Sequence, residues 1–176
     1  MSETSPARPV IKSTHQSQKR YFNALVHSFT KAGKTLSTAA TSPRPLVILT
    51  EPDGVETLSP ENIVKVLGGP ENYEVLNTEV NFIEAFDYPT ATAALDWAMT
   101  DEGKKTYDTL IIDSLSEFTK LALAHFLPLN KDGRAAYGDM MQWVAWYINA
   151  VNAQDDKNHL WLAHTERQED QVDGQV

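Results

Sequence analysis

The sequence contains no cysteine among its 176 residues. This absence excludes disulfide frameworks, thiol catalysis, iron–sulfur clusters and cysteine-based zinc sites. Long apolar runs are also missing, because the segment from Leu121 to Leu129 is interrupted by His125 and Pro128 and falls short of the ~18 residues that span a bilayer. Residues 1–20 lack the apolar centre of a signal peptide. We therefore expect a cytoplasmic protein without a membrane partner.

Basic charge is scarce as well, since 15 Lys and Arg residues stand against 24 Asp and Glu residues, a net charge of −9. This balance argues against a surface coated for nucleic acid, although it is compatible with a local basic groove. Residues 1–20 differ from the rest, because they carry a net charge of +3 and are rich in Ser, Thr and Pro. We expect a flexible basic arm over residues 1–20 and one globular core over residues 21–176.

Short apolar runs alternate with helix-forming segments along this core. Strand patterns occupy residues 21–28, 45–50, 80–86, 107–113 and 158–165, and helical patterns occupy residues 36–41, 59–67, 90–99, 114–125 and 139–154. Continuous apolar strands are typical of parallel sheets that are buried on both faces. The alternation predicts an α/β fold with three layers, in which helices cover both faces of a mainly parallel sheet.

The segment between the first strand and the first helix has the spacing of a phosphate-binding P-loop, G-x-x-x-x-G-K-[ST], with Ser28 in the place of the first glycine. In such a loop backbone N–H groups surround the phosphates, the lysine ammonium reaches the terminal phosphates and the hydroxyl binds Mg²⁺. An ordinary turn or an abandoned site is the alternative, and a side chain at position 28 can require a different φ or crowd the β-phosphate. The candidate nucleotide-binding residues are Ser28, Phe29, Thr30, Lys31, Ala32, Gly33, Lys34 and Thr35.

Polar residues follow three of the other strands. Asp113 ends the run Leu-Ile-Ile-Asp and has the position of a carboxylate that supports Mg²⁺ opposite Thr35, although a cap for the next helix is the alternative. Glu51 follows the second strand, where a carboxylate can activate the attacking water, unless it is an exposed turn residue. His164 ends the last strand and can contact the γ-phosphate, unless it is only paired within the fold.

With SFTKAGKT, PLVILTE, YDTLIIDSLSEF and HLWLAHTE in this order, the chain resembles the RecA-like P-loop ATPases found in phages, which are related to RecA/Rad51 recombinases. The resemblance covers about residues 20 to 170. It implies that Lys34 and Thr35 bind the phosphates of ATP and Mg²⁺, and that Asp113 supports the metal. It further implies that Glu51 is the hydrolytic base and that His164 is the sensor.

The resemblance also implies a role in phage DNA recombination, single-strand annealing or replication, in which the ATP state changes the grip on single-stranded DNA. Family members form filaments or rings, so we expect a homo-oligomer that Val10 and Ile11 of the arm promote, and a single-strand binding protein is a further candidate partner. The family continues beyond DQVDGQV, the end of this sequence, with a DNA-contacting loop and more strands. The C-terminal strands of the RecA-like core are therefore expected to be missing.

Two other functions remain open. Ser28 favours a catalytically silent structural or adaptor module, and the P-loop spacing alone is also compatible with a kinase for a small substrate. Candidate DNA contacts are basic residues beside aromatics, whose alternative is solvated surface charge. They are Lys19 and Arg20 with Tyr21, and Lys131 and Arg134 with Tyr137. Trp143, Trp146 and Tyr147 are interpreted as core or subunit contacts. The spacing of His15, His27, His125 and His159 predicts no protein-only metal site.

Overall fold

A computed structural model of the protein describes residues 21–29, 31–69, 71 and 76–165. Within this part, five strands form one sheet in the order β1-β5-β4-β2-β3, and every neighbouring pair is parallel. The strands are β1 (Asn23–Ser28), β2 (Pro45–Leu49), β3 (Asn81–Glu84), β4 (Thr109–Asp113) and β5 (Asn158–His164). The last strand along the chain, β5, thus lies between β1, which precedes the P-loop segment, and β4, which ends in Asp113.

Helices lie on both sides of the sheet. They are α1 (Lys34–Thr41), α2 (Asp53–Thr57), α3 (Pro60–Leu67), α4 (Tyr88–Ala98), α5 (Asp101–Lys104), α6 (Leu115–Phe126) and α7 (Gly133–Asn152), with a 3-10 turn at Leu127–Leu129. The strands β2 and β4 and most of β5 are buried, which explains their continuous apolar runs. One face packs Ile48, Ile112 and Trp161 against α4, α6 and α7, and the other packs Ile111 and Leu162 against α1. The predicted α/β architecture with three layers and a parallel sheet is confirmed.

Helix starts follow local side-chain chemistry. Ser59 and Ser114 cap α3 and α6 as predicted, since each side chain accepts a hydrogen bond from a backbone N–H in the first turn. The sequence pattern does not predict the short helices α2 and α5, and it predicts a start of α7 at residue 139. In the structure α7 begins at Gly133, because Asp132 accepts a hydrogen bond from the backbone N–H of Arg134 at 3.0 Å.

The aromatic residues of α7 divide between core and surface. Trp143 packs against Phe118, Tyr147 is buried and donates a hydrogen bond to Asp96, and Trp146 is 57% exposed. The core interpretation therefore holds for Trp143 and Tyr147 and not for Trp146. Within the described ranges, the helices are too short or too polar to cross a membrane.

Candidate functional site

Four adjacent strands bring the predicted site residues to one edge of the sheet. β1, β5, β4 and β2 are parallel neighbours, so their carboxyl ends meet at the same edge. The P-loop follows β1, His164 ends β5, Asp113 ends β4, and Glu51 follows β2. Residues that are far apart in the sequence thus become direct neighbours.

The P-loop segment curls between Ser28, the end of β1, and Lys34, the first residue of α1. Gly33 precedes the helix with φ 83°, a left-handed conformation in which glycine avoids the strain of a Cβ atom. Lys31 is also left-handed, with φ 64°. Ser28 is extended within β1 and is not among the described residues with positive φ, so its side chain does not force an unusual backbone. Thr30 lies outside the described residues.

The ammonium of Lys34 lies at the mouth of this loop. The side chain is buried, and Nζ donates to the carbonyl oxygens of Ser28 at 3.0 Å and Phe29 at 3.1 Å. It also lies 3.4 Å from Nδ1 of His164. A buried cation is stable only with such partners, and the loop backbone and β5 supply them.

Thr35 and Asp113 meet across the edge of the sheet. The Thr35 hydroxyl donates to Oδ2 of Asp113, which is itself buried. Burial raises the pKa of Asp113, and the negative charge of Glu51 adds to this effect, while the hydrogen bond from Thr35 opposes it. The pair offers oxygen donors on α1 and β4 that face each other.

Glu51 is half-buried and held by two donors. Its Oε1 accepts from the Ser114 hydroxyl at 2.6 Å and lies 2.8 Å from Nε2 of His164. Burial raises the pKa of Glu51, but the hydrogen bonds from Ser114 and His164 outweigh burial and leave it below its ordinary value. Because an ammonium can only donate, the contact with Lys34 assigns Nδ1 of His164 as an acceptor and Nε2–H as the donor to Glu51.

Sequence reasoning missed several supporting hydroxyls at this edge. Ser114 was predicted only as a helix cap, yet it also binds Glu51. The Thr50 side chain accepts from the backbone N–H of Ser114 at 2.8 Å, which ties the end of β2 to the end of β4. Ser116 accepts from the backbone N–H of His164 at 2.9 Å. The signal in the sequence was the pair of polar dipeptides, Thr-Glu and Asp-Ser, directly after two apolar strands.

A cavity of about 850 Å³ extends from the P-loop across α2 and α3. Lys34, Glu51, Asp113 and His164 line one end of it. The other end is lined by side chains of α2 and α3 that include Glu56, Asn62 and Lys65. This volume falls in the range of small-molecule and cofactor sites.

The remaining predicted residues lie elsewhere. Lys131, just before α7, and Arg134 and Tyr137, in the first turns of α7, are exposed and do not line the cavity. The arm with Val10 and Ile11, the basic pair Lys19 and Arg20, and His15 lie outside the described residues, as do residues 166–176. In the described ranges, no group of three or more His, Cys, Asp or Glu side chains is arranged to hold a metal ion.

Comparison with known proteins identifies the family. A model of the AAA domain family matches residues 23–175, which is most of the chain, so the chain belongs to the AAA domain family. No curated protein matches this sequence. Among solved structures, the crystal structure of the RadB recombinase matches with 13% identity and a TM-score of 0.47 over 86% of this chain. The chain spans 64% of the length of that protein. The parallel sheet with helices on both faces is the fold of this member of the AAA domain family.

Proposed function

We propose that this member of the AAA domain family binds ATP together with Mg²⁺ and hydrolyses the ATP at the carboxyl edge of its sheet. One observation carries the proposal: five side chains from separate segments line the same end of the cavity. Lys34, His164 and Glu51 form one chain of contacts, and Thr35 with Asp113 forms a second contact beside it. Each of these side chains has a distinct task in phosphoryl transfer.

Phosphate binding falls to the P-loop. Its left-handed turn at Lys31 and Gly33 precedes α1, whose N-terminal N–H groups and partial positive charge favour an anion. Lys34 supplies the full charge, and its contacts with two backbone carbonyls keep the ammonium at this position. The cavity over α2 and α3 is large enough for the remainder of a nucleotide.

Thr35 and Asp113 fit Mg²⁺, because hard oxygen donors are the ligands that this ion prefers. Thr35 and Asp113 would hold the ion, which would supply positive charge beside the phosphates. Asp113 has to be ionised for this task, and the hydrogen bond from Thr35 favours the ionised form.

Glu51 is the proposed general base. Its pKa lies below the ordinary value, so the carboxylate is ionised at neutral pH and can accept a proton from water. His164 contacts both this carboxylate and Lys34, and thereby joins the base to the phosphate-binding ammonium. That position suits a residue that responds to the state of the γ-phosphate.

The biological setting that we propose is phage DNA recombination, annealing or replication in the cytoplasm of a bacterial host, with ATP state coupled to single-stranded DNA. The ordered motifs named above support it, and Lys131, Arg134 and Tyr137 are exposed and offer phosphate and stacking contacts. Assembly into a filament or ring and contact with a single-strand binding protein belong to the same proposal. The basic arm, residues 1–20, is the proposed assembly segment.

A silent structural or adaptor module is the second candidate, because Ser28 replaces the first glycine of the motif. In this candidate the serine side chain at the end of β1 reduces the space for the β-phosphate. The two functions differ in nucleotide binding, which is directly measurable.

The test is ATP hydrolysis by the purified protein, with and without single-stranded DNA. We expect turnover that DNA increases and that Lys34→Ala abolishes, whereas Lys105→Ala removes an exposed lysine away from the cavity and should leave turnover unchanged. Absence of turnover, together with no rise in melting temperature on addition of ATP and Mg²⁺, would exclude the ATPase and favour the silent module.

A further inference from the structure

The end of β5 extends beyond its neighbour β4. The pairing of β4 with β5 ends at Asp113 opposite Leu162, whereas β5 continues to His164. Successive backbone N–H groups of a strand point to opposite sides. The N–H of Thr165 binds the Ser28 carbonyl on the β1 side, so the N–H of His164 faces the β4 side, where β4 has ended.

Ser116 provides the partner that β4 no longer can. Its Oγ accepts the hydrogen bond from the backbone N–H of His164 at 2.9 Å. Ser116 lies in the first turn of α6, the helix that follows β4 directly. The helix therefore adds one rung to the sheet through a side chain, at the residue where the site begins.

The same helical turn also holds the carboxylate that His164 contacts. Ser114 caps α6 and donates to Oε1 of Glu51 at 2.6 Å, and this oxygen lies 2.8 Å from Nε2 of His164. Ser114 thus contacts Glu51, Glu51 contacts His164, and His164 contacts Ser116. The two serines at the start of α6 each hold one member of the central pair of Glu51 and His164.

We propose that Ser116 is a positioning residue, whose hydroxyl holds the end of β5 so that the His164 ring meets Glu51 and Lys34. The effect on hydrolysis rests on the proposed function, whereas the placement of His164 does not. Without the hydroxyl, the His164 N–H loses the hydrogen bond to Ser116, and the strand end gains freedom. A displacement of about 1 Å at a catalytic group lowers rates by up to about 100-fold.

The experiment compares Ser116→Ala, Ser116→Thr and Thr119→Val in the full chain. Thr119→Val is the matched control, because the Thr119 hydroxyl donates to the Ser116 carbonyl, a hydrogen bond within the same helix. Amide hydrogen exchange at His164 and a carbon-13 NMR titration of the Glu51 carboxyl are measured, and Glu51→Gln assigns the resonance. Neither readout requires turnover.

In Ser116→Ala we expect the His164 amide to exchange about tenfold faster. We also expect the pKa of Glu51 to rise, because the hydrogen bond from His164 contributes to its lowered value. Ser116→Thr should restore both properties, and Thr119→Val should change neither. Should Ser116→Ala fail to fold, Ser116→Cys weakens the acceptor at similar size and serves in the same comparison.

An unchanged Glu51 titration in a folded Ser116→Ala protein would overturn the proposal, as would a threonine variant that behaves like alanine. If the wild-type protein hydrolyses ATP, kcat should fall in Ser116→Ala more than KM changes, and the acid limb of its pH profile should move to higher pH. A wild-type protein without turnover would instead refute the proposed function, while exchange and titration still decide the role of Ser116.

Discussion

His159 and His164 lie on the same strand, near its two ends, and meet different partners. His159 is fully buried, its Nδ1 bonds with the side-chain oxygen of Asn23 at 2.7 Å, and its Nε2 has no partner in the described part of the chain. Burial lowers the pKa of His159 to about 4, so the ring is neutral. His164 instead contacts the Lys34 ammonium and the Glu51 carboxylate.

The surroundings of the two histidines explain the difference. Near His159, at the amino ends of the strands, the fully buried polar groups are neutral, as in the hydrogen bond of Asn158 with Thr109 at 3.3 Å, and the charge of Lys157 is paired with Asp108 at 3.6 Å. At the carboxyl ends, the buried or half-buried charges of Lys34, Asp113 and Glu51 are brought together in one cavity. Burial of charge costs stability unless partners compensate it, so this cluster is the candidate for chemistry, whereas His159 and its neutral neighbours are candidates for support of the fold.

The largest expected effect tests the charged end. Glu51→Gln removes the proposed base while it keeps the side-chain size, so we expect kcat to fall roughly 10²- to 10⁴-fold. ATP with Mg²⁺ should still raise the melting temperature of this variant, because Lys34 and Thr35 are intact. Glu102→Gln, an exposed change on α5, should match the wild type in both assays. Full turnover in Glu51→Gln would assign the base to another residue.

The role of His159 is tested by the pH dependence of the free energy of unfolding. The pKa of an unfolded histidine is ~6.5, whereas the pKa of His159 in the fold is about 4. The contribution of neutral His159 to the free energy of unfolding is therefore complete above pH ~6.5 and disappears as the pH falls to about 4. The loss amounts to about 3 kcal/mol. Urea unfolding of His159→Gln should therefore change less between pH 7 and pH 4 than unfolding of the wild type. His27→Gln replaces an exposed histidine and is the control. An equal change in the free energy of unfolding between pH 7 and pH 4 for all three proteins would contradict the prediction.

Asparagine substitutions at the two histidines test the contrast further. His164→Asn should lower turnover by up to about 100-fold, because it removes the side chain that joins Glu51 to Lys34. The melting temperature of this variant should change little. His159→Asn should lower the melting temperature and leave turnover per folded molecule unchanged. Turnover is measured at a temperature at which circular dichroism shows both variants folded. A loss of turnover in both variants would mean that the two ends are not separate.

The smallest effect concerns Ser114. Ser114→Ala removes a helix cap, which costs about 1 kcal/mol in urea unfolding, and it removes a donor to Glu51. The pKa of Glu51 should rise, and the acid limb of the turnover profile should move to higher pH. Thr100→Ala removes the cap of α5 at a similar cost but should leave the pH profile unchanged. Identical pH profiles of turnover for the two variants would show that Ser114 does not influence the proposed base, Glu51.

Much of the fold was predictable because the core strands have only one favourable environment. Five residues in a row are buried in β2 and in β4, and such runs are stable only inside a sheet covered on both faces. The short helices α2 and α5 were missed, because four or five residues contain too little periodicity to predict a helix. The start of α7 was not predicted, because Gly133 and Gly138 weaken the helical pattern of its first turns.

The available chemical groups, and the strand ends that carry them, follow from the sequence alone. The P-loop spacing and the polar residues after apolar strands predict phosphate binding beside carboxylates, and the lack of cysteine excludes thiol chemistry. Which of these groups meet depends on the tertiary structure. β5 lies between β1 and β4, so His164 reaches both Lys34 and Glu51, and the start of α6 brings Ser114 to Glu51 and Ser116 to His164. The physical reason is that hydrogen bonds depend on distances of about 3 Å between residues that the chain separates widely.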